Sequence, residues 1–160
     1  NLLKERVPVR DAQTILECLA DYAPVTKEPD VLTEYVRGSL GRTICQLYQN
    51  DEGSIPVLTV SPELEQMIAE AMQSTAGGIK VILPPEVLNE LSESMSERID
   101  AMVSNGQTPI VLTSPNVRLA FRRVTETMFP SLTVLSYNEI VPGVDIFSVG
   151  TVSLDTADEN

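Results

Sequence analysis

The feature that most constrains the fold is a change of pattern after Gly53. Downstream of this residue, short runs rich in β-branched side chains alternate with longer helix-like segments. Parallel strands need long crossover connections, usually helices, so this alternation is typical of an α/β layer. The runs are residues 57–60, 80–83, 110–113 and 132–135. The sequence therefore predicts an α/β unit with a mixed or parallel sheet of four to five strands.

The segments between these runs carry helix start signals. Ser61 and Ser114 each stand before a proline, which matches a side-chain N-cap followed by a first-turn proline. From Pro85 onward, apolar residues recur at helical spacing. This stripe consists of Leu88, Leu91, Met95, Ile99 and Met102. After the turn at Pro142, residues 146–152 predict a further strand at an edge of the sheet.

The first 53 residues show helical patterns instead. Asp11 can cap a helix that ends near Ala23, and a second helix is expected from Pro29 to about Leu47. We therefore expect α+β organisation overall. The predicted units are a helical subdomain over residues 1–53, an α/β subdomain over 54–154, and a short acidic tail at 155–160.

Two glycines interrupt the second predicted helix. Gly38 and Gly41 each cost about 1 kcal/mol relative to alanine inside a helix. Close packing against another element would offset that cost.

Charge narrows the choice of partner. The net charge is −12, which repels nucleic acid phosphates and anionic lipids, so a protein partner is favoured over nucleic acid. The acidic surface is either a solvated face or a docking surface for a basic partner. No apolar run approaches the roughly 20 residues of a membrane-spanning helix. The start lacks a methionine and a signal-peptide pattern, so we expect a fragment of a longer protein.

The sequence shows no pattern typical of a catalytic or metal-binding site, although carboxylates are plentiful. It has no histidine, and its two cysteines, Cys18 and Cys45, are far apart and fit packed thiols in a reducing compartment. Gly77 and Gly78 precede a strand, unlike a phosphate-binding loop, and fit a helix-to-strand loop. The sequence therefore predicts no enzymatic activity, no cofactor and no metal site.

Two polar groups are candidates for partner docking. The first is a basic cluster formed by Arg118, Arg122 and Arg123, predicted to lie off the buried stripe of its helix. Its alternative role is pairing with nearby carboxylates such as Glu126. The second follows the fourth predicted strand, where α/β proteins often place binding groups. It consists of Tyr137, Asn138 and Glu139, whose alternative role is a local turn.

Three stretches resemble a known family. They are residues 7–22 (VPVRDAQTILECLADY), 30–37 (DVLTEYVR) and 134–140 (VLSYNEI). Together they are similar to the export-gate family of flagella and type III secretion systems, the FHIPEP family. The combination with Ser-Pro-Asn-Val-Arg at 114–118 favours the flagellar branch. The injectisome branch is the alternative.

This resemblance implies a non-enzymatic cytoplasmic part of a protein whose membrane domain lies upstream, at the cytoplasmic face of the bacterial inner membrane. It implies a homo-oligomeric ring, contacts with export apparatus proteins, and docking of export substrates with their chaperones. Because ring contacts in the family involve the helical subdomain, Glu34, Arg37 and Arg42 are candidate protomer contacts. The alternative for these residues is salt bridging within the chain. A regulatory ligand-binding α/β domain, using residues 136–139, is the rival function.

Overall fold

The computed structural model describes residues 1–154. Its first part is helical, as the sequence predicts. The elements are a 3-10 helix at Leu2–Glu5 and three α-helices: α1 at Ala12–Tyr22, α2 at Pro29–Ser39 and α3 at Gly41–Tyr48. Asp11 caps α1, because its carboxylate accepts a hydrogen bond from the Thr14 backbone N–H at 3.1 Å.

The long second helix of the prediction is in fact two helices. Leu40 separates α2 from α3 with φ −94° and ψ 16°, outside the helical region. Gly38 and Gly41 flank this residue. Their weak helix propensity explains why the helix can be interrupted here.

The second part is a mixed α/β arrangement. Its strands and helices are β1 Ser54–Val60, α4 Pro62–Ala71, β2 Met72–Thr75, β3 Gly78–Val81, α5 Pro85–Ser104, β4 Ile110–Thr113, α6 Arg118–Thr125, β5 Thr133–Ser136 and β6 Asp145–Val152. A short 3-10 helix at Tyr137–Glu139 follows β5. Within the described residues the main sheet has the strand order β5-β4-β1-β6, with every neighbouring pair parallel. The predicted edge strand at residues 146–152 is confirmed as β6.

One predicted strand does not join the main sheet. The run at 80–83 overlaps only the end of β3 (Gly78–Val81), which pairs antiparallel with β2 in a separate hairpin. Ala76 and Gly77 form the turn between these two strands and Gly78 begins β3, so the prediction of a helix-to-strand loop is wrong. Gly78 has φ +107°, a conformation that side chains rarely adopt and that suits glycine in a tight turn.

Helices cover both faces of the parallel sheet. One face carries Leu58, Val111 and Val134, which pack with buried residues of α4, α5 and α6. The opposite face carries Ile55, Val57, Ile110, Leu112 and Leu135, which pack with Val36, Leu40, Ile44 and Cys45 of the N-terminal helices. The predicted boundary at residue 53 coincides with the start of β1, yet the core is continuous across it. Such a parallel sheet is buried on both faces.

The predicted acidic tail at residues 155–160 lies outside the described residues. Among the helices that the structure describes, none is long and apolar enough to cross a membrane.

Candidate functional site: a buried ion-pair network between the helices and the sheet

The most unusual feature of the fold is a group of buried charges where α6 and β5 meet the N-terminal helices. Arg118, the first residue of α6, lies at its centre and is 0% exposed. Its guanidinium donates two hydrogen bonds to Glu34, at 2.6 and 2.8 Å, and two to Glu5, at 2.8 and 3.0 Å. A fifth, at 3.0 Å, reaches the backbone carbonyl of Val134. All five N–H donors of this side chain are therefore used.

A second buried pair lies beside the first. Arg37 of α2 is 2% exposed and donates to both carboxylate oxygens of Glu139, at 2.7 and 3.2 Å. Glu139 also accepts from the Ser136 hydroxyl at 3.0 Å. The Val134 carbonyl accepts from Arg37 at 3.3 Å as well as from Arg118. This one carbonyl of β5 thus connects the two pairs.

Two further arginines of α6 extend the network toward the surface. Arg123 donates to Asp30 at 3.0 Å, and Asp30 also accepts from the Ile79 backbone N–H of the hairpin at 3.0 Å. Arg122 is nearly buried, with its Nε 4.0 Å from a Glu5 oxygen. The network therefore ties the N-terminal helices, the hairpin, α6 and the end of β5 together.

The charges in this network balance. It contains four arginines (Arg37, Arg118, Arg122 and Arg123) and four carboxylates (Glu5, Asp30, Glu34 and Glu139). Burial opposes ionisation of Glu5, but the hydrogen bonds and charge of Arg118, with the charges of Arg37 and Arg122, outweigh burial and lower its pKa. Burial likewise opposes the charge of Arg118, yet Glu34 and Glu5 raise its pKa above the ordinary value. Both partners are held in their charged forms.

This arrangement is suited to holding elements together. A carboxylate bound by arginine is a poor proton acceptor, because the cation stabilises its charged form. Within the described part of the chain, no group of three or more histidine, cysteine, aspartate or glutamate side chains could hold a metal ion.

The lowered pKa of Glu5 predicts acid sensitivity. A carboxylate with a depressed folded-state pKa stabilises the fold above its ordinary pKa of about 4.3, and this stabilisation is lost as the pH falls through the folded value. We expect the free energy of unfolding, measured by urea denaturation, to decrease as the pH is lowered below about 5. A Glu5→Gln variant should show a flatter profile across the same range. Identical pH slopes in both proteins would contradict this role for Glu5.

The structure groups the candidate residues differently from the sequence prediction. Within this chain, Arg37 binds Glu139 and Arg118 binds Glu34. Each pair joins one residue predicted as a protomer contact to one predicted as a docking residue. The expectation that Arg118 lies off the buried face of its helix is wrong. The side chains that remain exposed are Arg42, Tyr137 and Asn138. The contact and docking roles themselves stay predictions.

Sequence reasoning did not identify Glu5 and Asp30 as members of the network. The arginines of α6 pair with Glu5, Glu34 and Asp30 rather than with Glu126, the nearby carboxylate suggested by spacing. Glu5 and Arg118 are 113 positions apart. Local spacing carries no signal for such a contact.

Comparison with known proteins identifies the family. Residues 1–145 match the model of the FHIPEP family. This chain belongs to the FHIPEP family. The flagellar biosynthesis protein FlhA of Bacillus subtilis is 36% identical over 153 residues, which is 96% of this chain and 23% of the relative. The invasion protein InvA of Salmonella typhimurium is 33% identical over 151 residues, 94% of this chain and 22% of the relative.

Several solved structures share the fold. The Chlamydia pneumoniae CdsV protein superimposes with a TM-score of 0.87 at 36% identity, covering 95% of this chain and 43% of that chain. CdsV has also been solved in a complex with the CdsO protein. The nonameric EPEC SctV-C structure gives a TM-score of 0.82 at 26% identity, covering 94% of this chain and 45% of that chain.

This FHIPEP chain spans about a fifth of its curated relatives. The predicted resemblance is confirmed, and so is the prediction that the chain is not an enzyme, since the family is a non-enzymatic export-gate family. Flagellar and injectisome relatives match at similar identity. The preference for the flagellar branch stays a prediction.

Proposed function

We propose that this chain forms part of the cytoplasmic portion of a flagellar or type III protein export gate. In this role it contributes to assembly of a homo-oligomeric ring and to docking of export substrates with their chaperones. The observation that carries the proposal is FHIPEP membership over residues 1–145 together with the fold shared with a nonameric relative. The location is the cytoplasmic face of the bacterial inner membrane, with the membrane anchor in upstream sequence.

The ring surface is proposed on the N-terminal helices. Glu34 and Arg37 are already bound within the chain, by Arg118 and Glu139. They would act by fixing the position of α2. Arg42 on α3 is exposed to solvent. It is therefore the proposed direct contact with a neighbouring protomer.

The docking surface is proposed at the end of β5. Tyr137 is 53% exposed and Asn138 is exposed, while the adjacent Glu139 is buried and anchored by Arg37. An exposed tyrosine on a fixed backbone offers a large contact area at low entropic cost. Arg123, about one-third exposed and held by Asp30, is available for an acidic partner. A component like CdsO, which binds the relative CdsV, is one candidate occupant.

A regulatory ligand-binding domain is less well supported. That function requires free polar groups converging at residues 136–139. The Ser136 hydroxyl instead lies within hydrogen-bond distance of both Glu139 and Asn138, and Glu139 is bound by Arg37. Contacts within the chain account for these groups without a ligand.

The test uses the complete cytoplasmic portion of the protein that contains this chain. We expect Arg42→Glu to lower ring assembly at least several-fold, measured by mass photometry across a concentration series. Tyr137→Ala should leave assembly unchanged but reduce capture of chaperone–substrate complexes in a pull-down. Each variant is the matched control for the other surface, since both residues are exposed. Deleting the α/β part would be uninformative because it would expose the core of the N-terminal helices.

Unchanged assembly in Arg42→Glu would remove this residue from the ring contact. Unchanged capture in Tyr137→Ala would remove the end of β5 from docking. A wild-type portion that neither assembles nor captures any complex would overturn the proposed function.

A further inference from the structure

A small cavity lies beside the ion-pair network. It has a volume of about 160 Å³ and sits between the N-terminal 3-10 helix, α2, α6 and the segment leading into β5. Its charged lining residues are Lys4, Glu5, Arg6, Arg37 and Arg122. We refer to this cavity as the basic pocket.

Two lining residues have unsatisfied donors. Among residues 1–154, the buried side-chain atoms without a hydrogen-bond partner are Nη1 of Arg37 and Nη1 of Arg122. Both residues line the basic pocket. Arg37 Nη1 lies 3.5 Å from a Glu5 oxygen, an ion pair without a hydrogen bond. Buried guanidinium donors are nearly always paired, so two orphan donors around one cavity point to a missing acceptor.

The local charge also favours an acceptor with negative charge. Four basic residues and one carboxylate line the pocket. Both oxygens of that carboxylate, Glu5, already accept hydrogen bonds from Arg118. The carboxylates of the network balance Arg37 and Arg122, so the local excess of positive charge comes from Lys4 and Arg6, in a chain whose net charge is −12. The overall field repels large polyanions, so the ligand must be small and held by short-range contacts.

We propose that the basic pocket binds a small tetrahedral oxyanion of the phosphate class. A water molecule occupies about 30 Å³ in the liquid, so the pocket has room for such an ion together with water. The planar fork of arginine matches the geometry of phosphate oxygens and binds them more strongly than neutral acceptors. The bound ion would receive hydrogen bonds from Arg37 and Arg122, with Lys4 and Arg6 adding charge at the pocket mouth.

Binding would strengthen the junction of the helices with the sheet. Lys4 and Arg6 belong to the N-terminal 3-10 segment, Arg37 to α2 and Arg122 to α6. Glu5 already connects these three elements through its ion pairs with Arg37, Arg118 and Arg122, and a bound ion would add hydrogen bonds to that connection.

The experiment is a calorimetric titration of sodium phosphate into the 160-residue chain at pH 7, with ionic strength held constant by sodium chloride. We expect saturable binding at one site. Arg122→Gln should weaken it at least tenfold, because it removes an orphan donor. Lys4→Gln should weaken it several-fold, and this variant should remain folded because Lys4 is exposed. Arg10→Gln, an exposed arginine outside the pocket, is the matched control and should bind as the wild type does.

Absence of saturable phosphate binding to the wild type would overturn the proposal and leave water as the acceptor. An equal loss in Arg10→Gln and Lys4→Gln would also overturn it, because the effect would then be general charge attraction. Circular dichroism establishes that each variant is folded. If Arg122→Gln unfolds, the comparison of Lys4→Gln with Arg10→Gln decides the outcome.

Discussion

Replacing Arg118 with methionine is expected to lower the free energy of unfolding by about 3–5 kcal/mol, because removing one partner of a buried ion pair leaves its charges uncompensated. Arg118 is fully buried and uses all five donors on Glu5, Glu34 and the Val134 carbonyl. Methionine preserves much of the side-chain volume but supplies no donor. Urea denaturation at pH 7 measures the loss.

The matched control is Arg42→Met. Arg42 is exposed on α3, and surface substitutions of this kind change stability by only about 0.5 kcal/mol in either direction. The double variant Arg118→Met/Glu34→Gln should lose less unfolding free energy than the two single variants together. The reason is that glutamine at position 34 removes the carboxylate that Arg118→Met would leave without its partner. A loss below about 1 kcal/mol in Arg118→Met would show that the network does not stabilise the junction.

Elements that depend on local periodicity were predicted well. The cap at Asp11, the strands β1 and β4, and the edge strand β6 follow from short-range patterns and are present in the structure. The strand β2 was missed because Met72–Thr75 continues directly from α4 and is mostly polar, with Gln73 and Ser74 exposed. A strand without a buried apolar face leaves no alternating pattern to detect.

The ion-pair network could not be predicted, because its partners are distant in sequence. Arg37 and Glu139 are 102 positions apart. A helical pattern assigns arginine to the polar face unless carboxylates from other elements compensate its burial. Two of the stretches that carry the family resemblance, residues 30–37 and 134–140, contain these two residues. The ion pair between Arg37 and Glu139 gives a physical reason why these two stretches occur together, and local periodicity does not provide one.

Changing Gly41 to alanine is expected to lower the free energy of unfolding by about 1–3 kcal/mol, the usual cost of forcing an extra methyl group into a packed site. A Cβ at Gly41 would lie 2.8 Å from the backbone carbonyl oxygen of Glu139 and 3.2 Å from the side chain of Val141. That carbonyl also accepts from the Cys45 thiol at 3.3 Å, and Arg37 fixes the Glu139 side chain. The 3-10 helix after β5 is thus held in place and cannot easily move away. Thermal and urea denaturation measure the effect.

Gly38→Ala separates close packing from helix propensity. A Cβ at Gly38 would meet only the Asn138 side chain, at an ordinary contact distance of 3.7 Å. Alanine is better than glycine inside a helix by about 1 kcal/mol, so this variant should be neutral or slightly more stable. The two substitutions are the same chemical change three residues apart, and we expect only Gly41→Ala to lower the free energy of unfolding. If both variants gain stability, the contact between α3 and the end of β5 is not tight, and the interruption at Leu40 results from weak propensity alone.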